Sequence, residues 1–121
     1  MVSSKQVVNA TSGEVLAWDA AVAKTARERR RGLIGHDILK PGEALILPRC
    51  RQVHSFGMRF SIDVVFIDSK GQVAMTCPGF EPRRISPIAW RARSAIELPA
   101  GTIEKTRTLS GDQILTGDKV K

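Results

Sequence analysis

Three side chains in this sequence could do proton chemistry if the fold brought them together: His54, Asp63 and Glu97. An imidazole titrates near neutral pH, and a carboxylate beside it can share its proton, as general acid–base catalysis requires. Asp63 stands in an otherwise apolar run, Ile62-Asp63-Val64-Val65-Phe66-Ile67, where an unpaired charge is costly. Glu97 stands in Ala95-Ile96-Glu97-Leu98, just ahead of Pro99-Ala100-Gly101. Arg59 could pair with either carboxylate. One reading is a hydrolase- or isomerase-type enzyme using His54 with Asp63 or Glu97 as acid and base. The other is structural: Asp63 accepts hydrogen bonds from backbone or Arg and pins the irregular stretch 54–61. The chain has no Gly-x-Ser-x-Gly elbow and no His-Glu-x-x-His zinc helix, so no catalytic residue is certified and the balance leans away from an enzyme.

The same stretch can be read as a ligand groove. His54-Ser55-Phe56-Gly57-Met58 places an imidazole, a hydroxyl, an aromatic ring and a thioether around a glycine, the mixture that lines small-molecule sites. The candidate binding residues are His54, Phe56, Met58, Arg59, Asp63 and Glu97, with the loop 78–87 and its Glu81, Arg83 and Arg84 as a wall. Arg59, Arg83 and Arg84 favour a small anionic ligand or an acidic peptide; a protein partner is the other option. Against this stands the plain reading that Phe56 and Met58 fill the end of a barrel. Cys50-x-x-x-His54 is a fragment of a zinc pattern, and Cys77 has no close partner in sequence, so no metal and no cofactor is expected. The two cysteines read as separate reduced thiols.

Charge widens the choice. Nineteen Lys and Arg against twelve Asp and Glu give +7 over 121 residues, a length suited to a single globular domain, residues 1–121. Arg27, Arg29, Arg30 and Arg31 form the densest basic cluster, and nucleic-acid binding through Arg27–Arg31 is the third hypothesis. Stacking partners are scarce: aromatics are 5% and Tyr is absent, while Trp18 and Trp90 read as core or rim residues. No apolar run approaches the length of a membrane span, and the start lacks the apolar stretch of a signal peptide, so a cytoplasmic protein without a membrane partner is expected. The oligomeric state is open.

These residues need positioning. Val15 to Ala23 reads as a strand. Thr25-Ala26-Arg27-Glu28 has the capping-box pattern, opening a short helix that Gly32 and Gly35 can end. Lys40 to Glu43 is a turn and Ala44 to Leu47 a short strand. Ile62 to Ile67 is the strongest strand, followed by a hairpin turn at Asp68-Ser69-Lys70-Gly71 and a return through Gln72 to Thr76. Cys77 to Pro87 reads as a loop, with a turn at Pro78-Gly79. Ser94 to Leu98 alternates, Thr102 to Thr108 reads as a second short helix, and Gln113 to Leu115 as a closing strand. The expected fold is α+β: mostly antiparallel strands in a barrel-like sheet with one or two short helices.

Several of these blocks resemble one known family. Thr25, Glu28-Arg29 and Gly32-Leu33-Ile34-Gly35 resemble its Thr, Glu-Arg and Gly-Leu-Met-Gly signature. His54 through Asp68 resembles its central block, and Glu97-Leu98-Pro99-Ala100-Gly101 with Gly111-Asp112 its closing block. The family is domain of unknown function 192, and the resemblance covers roughly residues 15–115 in the same order. It implies a compact, mostly β domain with a short helix near the start, and it implies no reaction. The chain departs from the pattern at Ile34 and His36, where Met and Arg are usual, and at Ser61, where Pro is common.

Overall fold

The computed structural model describes residues 4–23 and 39–118. The expected helix from Thr25 to Gly35 lies outside them. The strands are β1 (Ser4–Asn9), β2 (Glu14–Val22), β3 (Glu43–Pro48), β4 (Ile62–Asp68), β5 (Val73–Phe80), β6 (Ala92–Pro99) and β7 (Ile114–Asp118), with the helix α1 (Thr102–Lys105) between β6 and β7. They form one curled sheet in the order β5-β4-β6-β3-β2-β1-β7. Among the described residues helix is confined to those four positions, so the fold is nearly all β where an α+β mixture was expected. α1 stops short of Thr108 because Arg107 turns left-handed, with φ of 54°.

The half-barrel is drawn together where its two edge strands approach. The hairpin turn after β4 forms as its sequence indicates. Asp68 Oδ1 accepts from the amides of Lys70 and Gln72, and Gly71 supplies the positive φ of 80°. The same turn reaches β7: the Ile114 amide donates to the Gly71 carbonyl at 2.8 Å, and the Val73 amide to the Asp112 carbonyl at 2.9 Å. A side chain at Gly71 would begin 2.6 Å from Gln113 Nε2 and 3.1 Å from the Ile114 carbonyl oxygen, so it would displace the Gln113 amide and crowd β7 in addition to straining the positive φ.

Two features add to or depart from the expected, mostly antiparallel sheet. β2 and β3 pair in parallel, Asp19 opposite Glu43 and Val22 opposite Ile46. A parallel pair needs a long crossover, and residues 23–42 supply it. Cys77 to Phe80, read as loop, continues β5. Proline is tolerated there because β5 is an edge strand and needs no amide toward solvent. The turn signal of Pro78-Gly79 appears instead as a β-bulge. Ile62 faces Phe80 and Val64 faces Cys77, so two residues of β5 oppose Asp63 alone, with Gly79 at φ of 60°.

The core has two layers. One cluster draws on all seven strands, with Val7, Ala20, Ile46, Val65, Ile96, Leu98 and Ile114 among its members, and therefore fills the enclosed side. The other lies on the opposite face of β3, β4 and β6, where Leu47, Val64, Phe66 and Ala95 pack with Val53 and Met58 from the connection to β4. Central strands covered on both faces lose the exposed half of an alternating pattern. Ala95, Ile96, Glu97 and Leu98 are accordingly all buried.

Candidate functional site

The stretch 51–58 has no regular period, yet it is firmly held. It runs beside 81–89 in an irregular ladder: the Ser55 amide donates to the Arg84 carbonyl, the Ser86 amide to the Val53 carbonyl and the Ala89 amide to the Arg51 carbonyl. Two buried serines close what the backbone leaves open. Ser55, fully buried, donates its hydroxyl to the Glu81 carbonyl at 2.6 Å and accepts from the Arg84 amide at 2.9 Å. Ser86 Oγ accepts from the Val53 amide at 3.0 Å. Buried polar atoms satisfied in this way hold a loop about as firmly as a sheet ladder would.

Alternate side chains of the ladder face outward, while Val53, Met58 and Ala89 pack into the core. His54, Phe56 and Ile85 line, with Gln52 and Val53, a depression of about 220 Å³ that is mainly apolar. His54 Nδ1 accepts from the Phe56 amide at 3.3 Å, so the neutral ring carries its proton on Nε2 and offers it to the surface. The two rings stand 5.6 Å apart. Next along both segments, Met58, Arg59, Glu81, Pro82, Arg83 and Arg84 line a second depression of about 430 Å³. Met58 is buried and forms part of the core, whereas Phe56 is about half exposed. Neither residue fills the barrel end: Met58 packs in the cluster on the outer face of the sheet, and Phe56 faces solvent.

Arg83 holds φ of 65°, a conformation costly for a side chain of its kind, roughly 1–2 kcal/mol. Its amide donates to the Ser55 carbonyl at 3.3 Å, so the ladder enforces that turn. Arg84 meets Glu81 at 3.5 Å in an exposed pair of small energetic weight.

Asp63 and Glu97 are both buried, and the sheet separates them. Asp63 pairs with Leu98 and Val64 with Glu97 across β4 and β6, so the two carboxylates point to opposite faces. Asp63 points to the enclosed side. Its Oδ1 accepts from the Gly79 amide at 2.9 Å and its Oδ2 from the Ile103 amide at 2.8 Å. It pins the bulge of β5 and the start of α1, rather than the stretch 54–61. Glu97 points to the other face, in a row that runs Cys77, Val64, Glu97, Leu45 across four strands. Burial among these neighbours pushes its carboxyl up from 4.5 to about 7. His54, Asp63 and Glu97 thus occupy a surface loop and two opposite faces of the sheet, and form no single acid–base site.

The family's sequence pattern, described as Uncharacterized ACR (DUF192), matches residues 7–116. The chain belongs to the DUF192 family. A UPF0127 protein of Thermococcus sibiricus is 31% identical over 112 residues, covering 89% of this chain and 72% of its own. Two solved structures share the fold. A protein of unknown function from Novosphingobium aromaticivorans is 20% identical with a TM-score of 0.80, covering 94% of this chain and 84% of its own. A Sinorhizobium meliloti protein, provisionally described as a transcription regulator, is 19% identical with a TM-score of 0.81, covering 96% and 97%. For DUF192 these likenesses establish a fold and no activity.

Other sequence candidates separate on this DUF192 scaffold. Arg27–Arg31 lie outside the described residues. Among the described residues no three His, Cys, Asp or Glu side chains gather as a metal site. Cys50 donates to the Gln52 carbonyl at 3.3 Å, and Cys77 is half-buried on the edge strand, where burial raises its thiol. No described helix is long and apolar enough to cross a membrane. Trp18 and Trp90, expected at the core or rim, are both surface residues, 59% and 72% exposed. Sequence reasoning missed Ser55 and Ser86 as the holders of the loop pair. The first sits inside the motif already singled out; the second carries no pattern that could have revealed it.

Proposed function

We propose that this protein is a binding module whose ligand carries an anionic head and an apolar body, and that the ligand sits across the two depressions formed by residues 52–59 and 81–85. The observation that carries this reading is the convergence of Arg59, Arg83 and Arg84 on one depression beside the apolar one of Phe56 and Ile85. Guanidinium groups bind carboxylate and phosphate through charge-assisted hydrogen bonds, and His54 Nε2–H adds a neutral donor on the apolar side. The ladder holds Arg83 at positive φ through its amide bond to the Ser55 carbonyl, which fixes where its side chain leaves the backbone.

Binding without chemistry is favoured because Asp63 spends both oxygens on backbone amides and Glu97 is buried on the far face from it. The test is calorimetric titration of the full chain with phenyl phosphate and with inorganic phosphate. Phenyl phosphate binds more tightly, and an Arg83→Ala/Arg84→Ala variant loses at least tenfold in affinity. Equal binding of the two probes, or an unaffected variant, contradicts the proposal.

A further inference from the structure

A second surface has a different chemistry. Ala89 and Ala92 close a β-turn through the Ala92 amide and the Ala89 carbonyl at 2.9 Å, and both alanines are buried. Trp90 and Arg91 are the two central residues of that turn. Its buried ends are fixed, so the indole is held out in solvent, 72% exposed. The indole thus offers a flat apolar face to a ligand, and what sets it apart is its neighbours.

Cations share a groove with the indole. Arg51, Lys70, Arg91 and Arg93 line one shallow groove of about 420 Å³ with Trp90, drawn from three separate segments. Arg51 is tied to the turn, its Nε donating to the Ala92 carbonyl at 3.2 Å, which uses one of five guanidinium donors. The single carboxylate of the groove, Asp68, is turned back on its own hairpin, where Oδ1 accepts from the Lys70 and Gln72 amides. The groove therefore presents four positive charges against one carboxylate, beside one aromatic side chain.

We infer that this groove binds single-stranded nucleic acid, with an unpaired base stacked on Trp90 and flanking phosphates held by Arg51, Lys70, Arg91 and Arg93. Stacking platforms among cations are the working parts of such sites, and they accept any base because every base has a π-face. A duplex gives Trp90 no unpaired base to stack on, so single strands are favoured over duplex at this groove. The surface is distinct from the loop pair and does not depend on the ligand proposed there.

The test uses the full chain carrying Trp18→Phe, which leaves Trp90 as the sole indole. A twelve-residue oligothymidylate is titrated at 50 mM salt while tryptophan emission is followed. Quenching is expected, with affinity falling as salt rises by about 0.7 log units per phosphate contact for each tenfold in salt. Arg91→Ala/Arg93→Ala reduces that slope by about 1.4. Trp90→Ala, followed by the anisotropy of a fluorescently labelled oligothymidylate because it lacks the reporting indole, weakens binding about tenfold at fixed salt, and Trp90→Phe, followed the same way, restores most of it. The exposed positions leave the melting temperature unchanged. Absence of quenching overturns the proposal. So does equal binding of thymidine monophosphate, which assigns the groove to free nucleotides, or equal binding of a hairpin duplex or oligoglutamate. Loss of binding in Arg83→Ala/Arg84→Ala with none in Arg91→Ala/Arg93→Ala would also overturn it, by moving the site to the other surface.

Discussion

Asp63, Asn9 and Asp112 turn their polar groups into the enclosed side of the sheet and find fixed partners there, whereas the loop pair 52–59 and 81–85 is held by two serines and turns its charges out. Asn9 is fully buried: its Nδ2 donates to Thr108 Oγ1 at 3.1 Å and to Asp112 Oδ2 at 2.9 Å, while its Oδ1 accepts from the Thr11 and Ser12 amides. Asp112 Oδ2 also accepts from the Leu109 amide. In that region buried polarity is structural; it ties α1 and the segment after it to the sheet. On the loop pair the structural work is done by Ser55, Ser86 and the backbone, which leaves His54, Arg83 and Arg84 available to a ligand. The buried polar residues Asp63, Asn9 and Asp112 are thus accounted for by structure, whereas the outward residues of the loop pair carry the proposed function.

The contrast is sharpest at Asp63. Asp63→Ala leaves two amides without their acceptor, each worth about 1–3 kcal/mol, so a loss of about 3–5 kcal/mol is expected in urea unfolding. Binding of phenyl phosphate by the remaining folded protein is unchanged. A small loss would break the distinction between the two regions.

Glu97 sharpens it through pH. Its ordinary value, 4.5, applies to the unfolded chain, and burial raises the folded value to about 7. Below pH 4.5 both states hold the proton. As pH rises from 4.5 toward 7 the unfolded state releases it first, so stability falls. Above 7 the loss levels off at on the order of 3 kcal/mol. Glu97→Gln is expected to flatten that fall in unfolding free energy measured between pH 4.5 and 7.5. An unchanged slope assigns it to other groups.

Ser55→Ala should affect both properties. Losing its bonds to the Glu81 carbonyl and the Arg84 amide costs about 1–2 kcal/mol in thermal or urea melts. It also lowers phenyl phosphate affinity several-fold by loosening the loop pair. Arg83→Gly is expected to be the mildest for folding. It removes the side-chain penalty at φ of 65° while adding unfolded-state entropy, so stability stays within about 1 kcal/mol. Affinity nevertheless drops, separating a ligand role from a structural one.

Much of the sheet was legible in the sequence. The β-branched run of β4, the Asp68–Gly71 turn and the alternation in β6 each carry a local signal strong enough to survive tertiary context. β1 did not stand out, because Ser4–Asn9 offers only Val7 and Val8 as apolar residues and takes its place from neighbours on both sides. Pro78-Gly79 gave a true local signal, a left-handed glycine, but pairing with β4 turned it into a bulge within a strand. The site was legible in composition and not in geometry. His54-Ser55-Phe56-Gly57-Met58 and the segment with Arg83 and Arg84 were read as one candidate surface, and the two segments do lie side by side. That Asp63 and Glu97 face opposite ways follows only from the register of β4 against β6, which no single strand encodes.

The most direct measurement of the central claim is an amide-resolved NMR titration of the labelled full chain with phenyl phosphate at physiological salt. The account predicts shifts concentrated in residues 52–59 and 81–85, with the amides of Gly79 and Ile103 unmoved. Shifts centred on Asp63, Glu97 and their strand neighbours, or none at all, would contradict it.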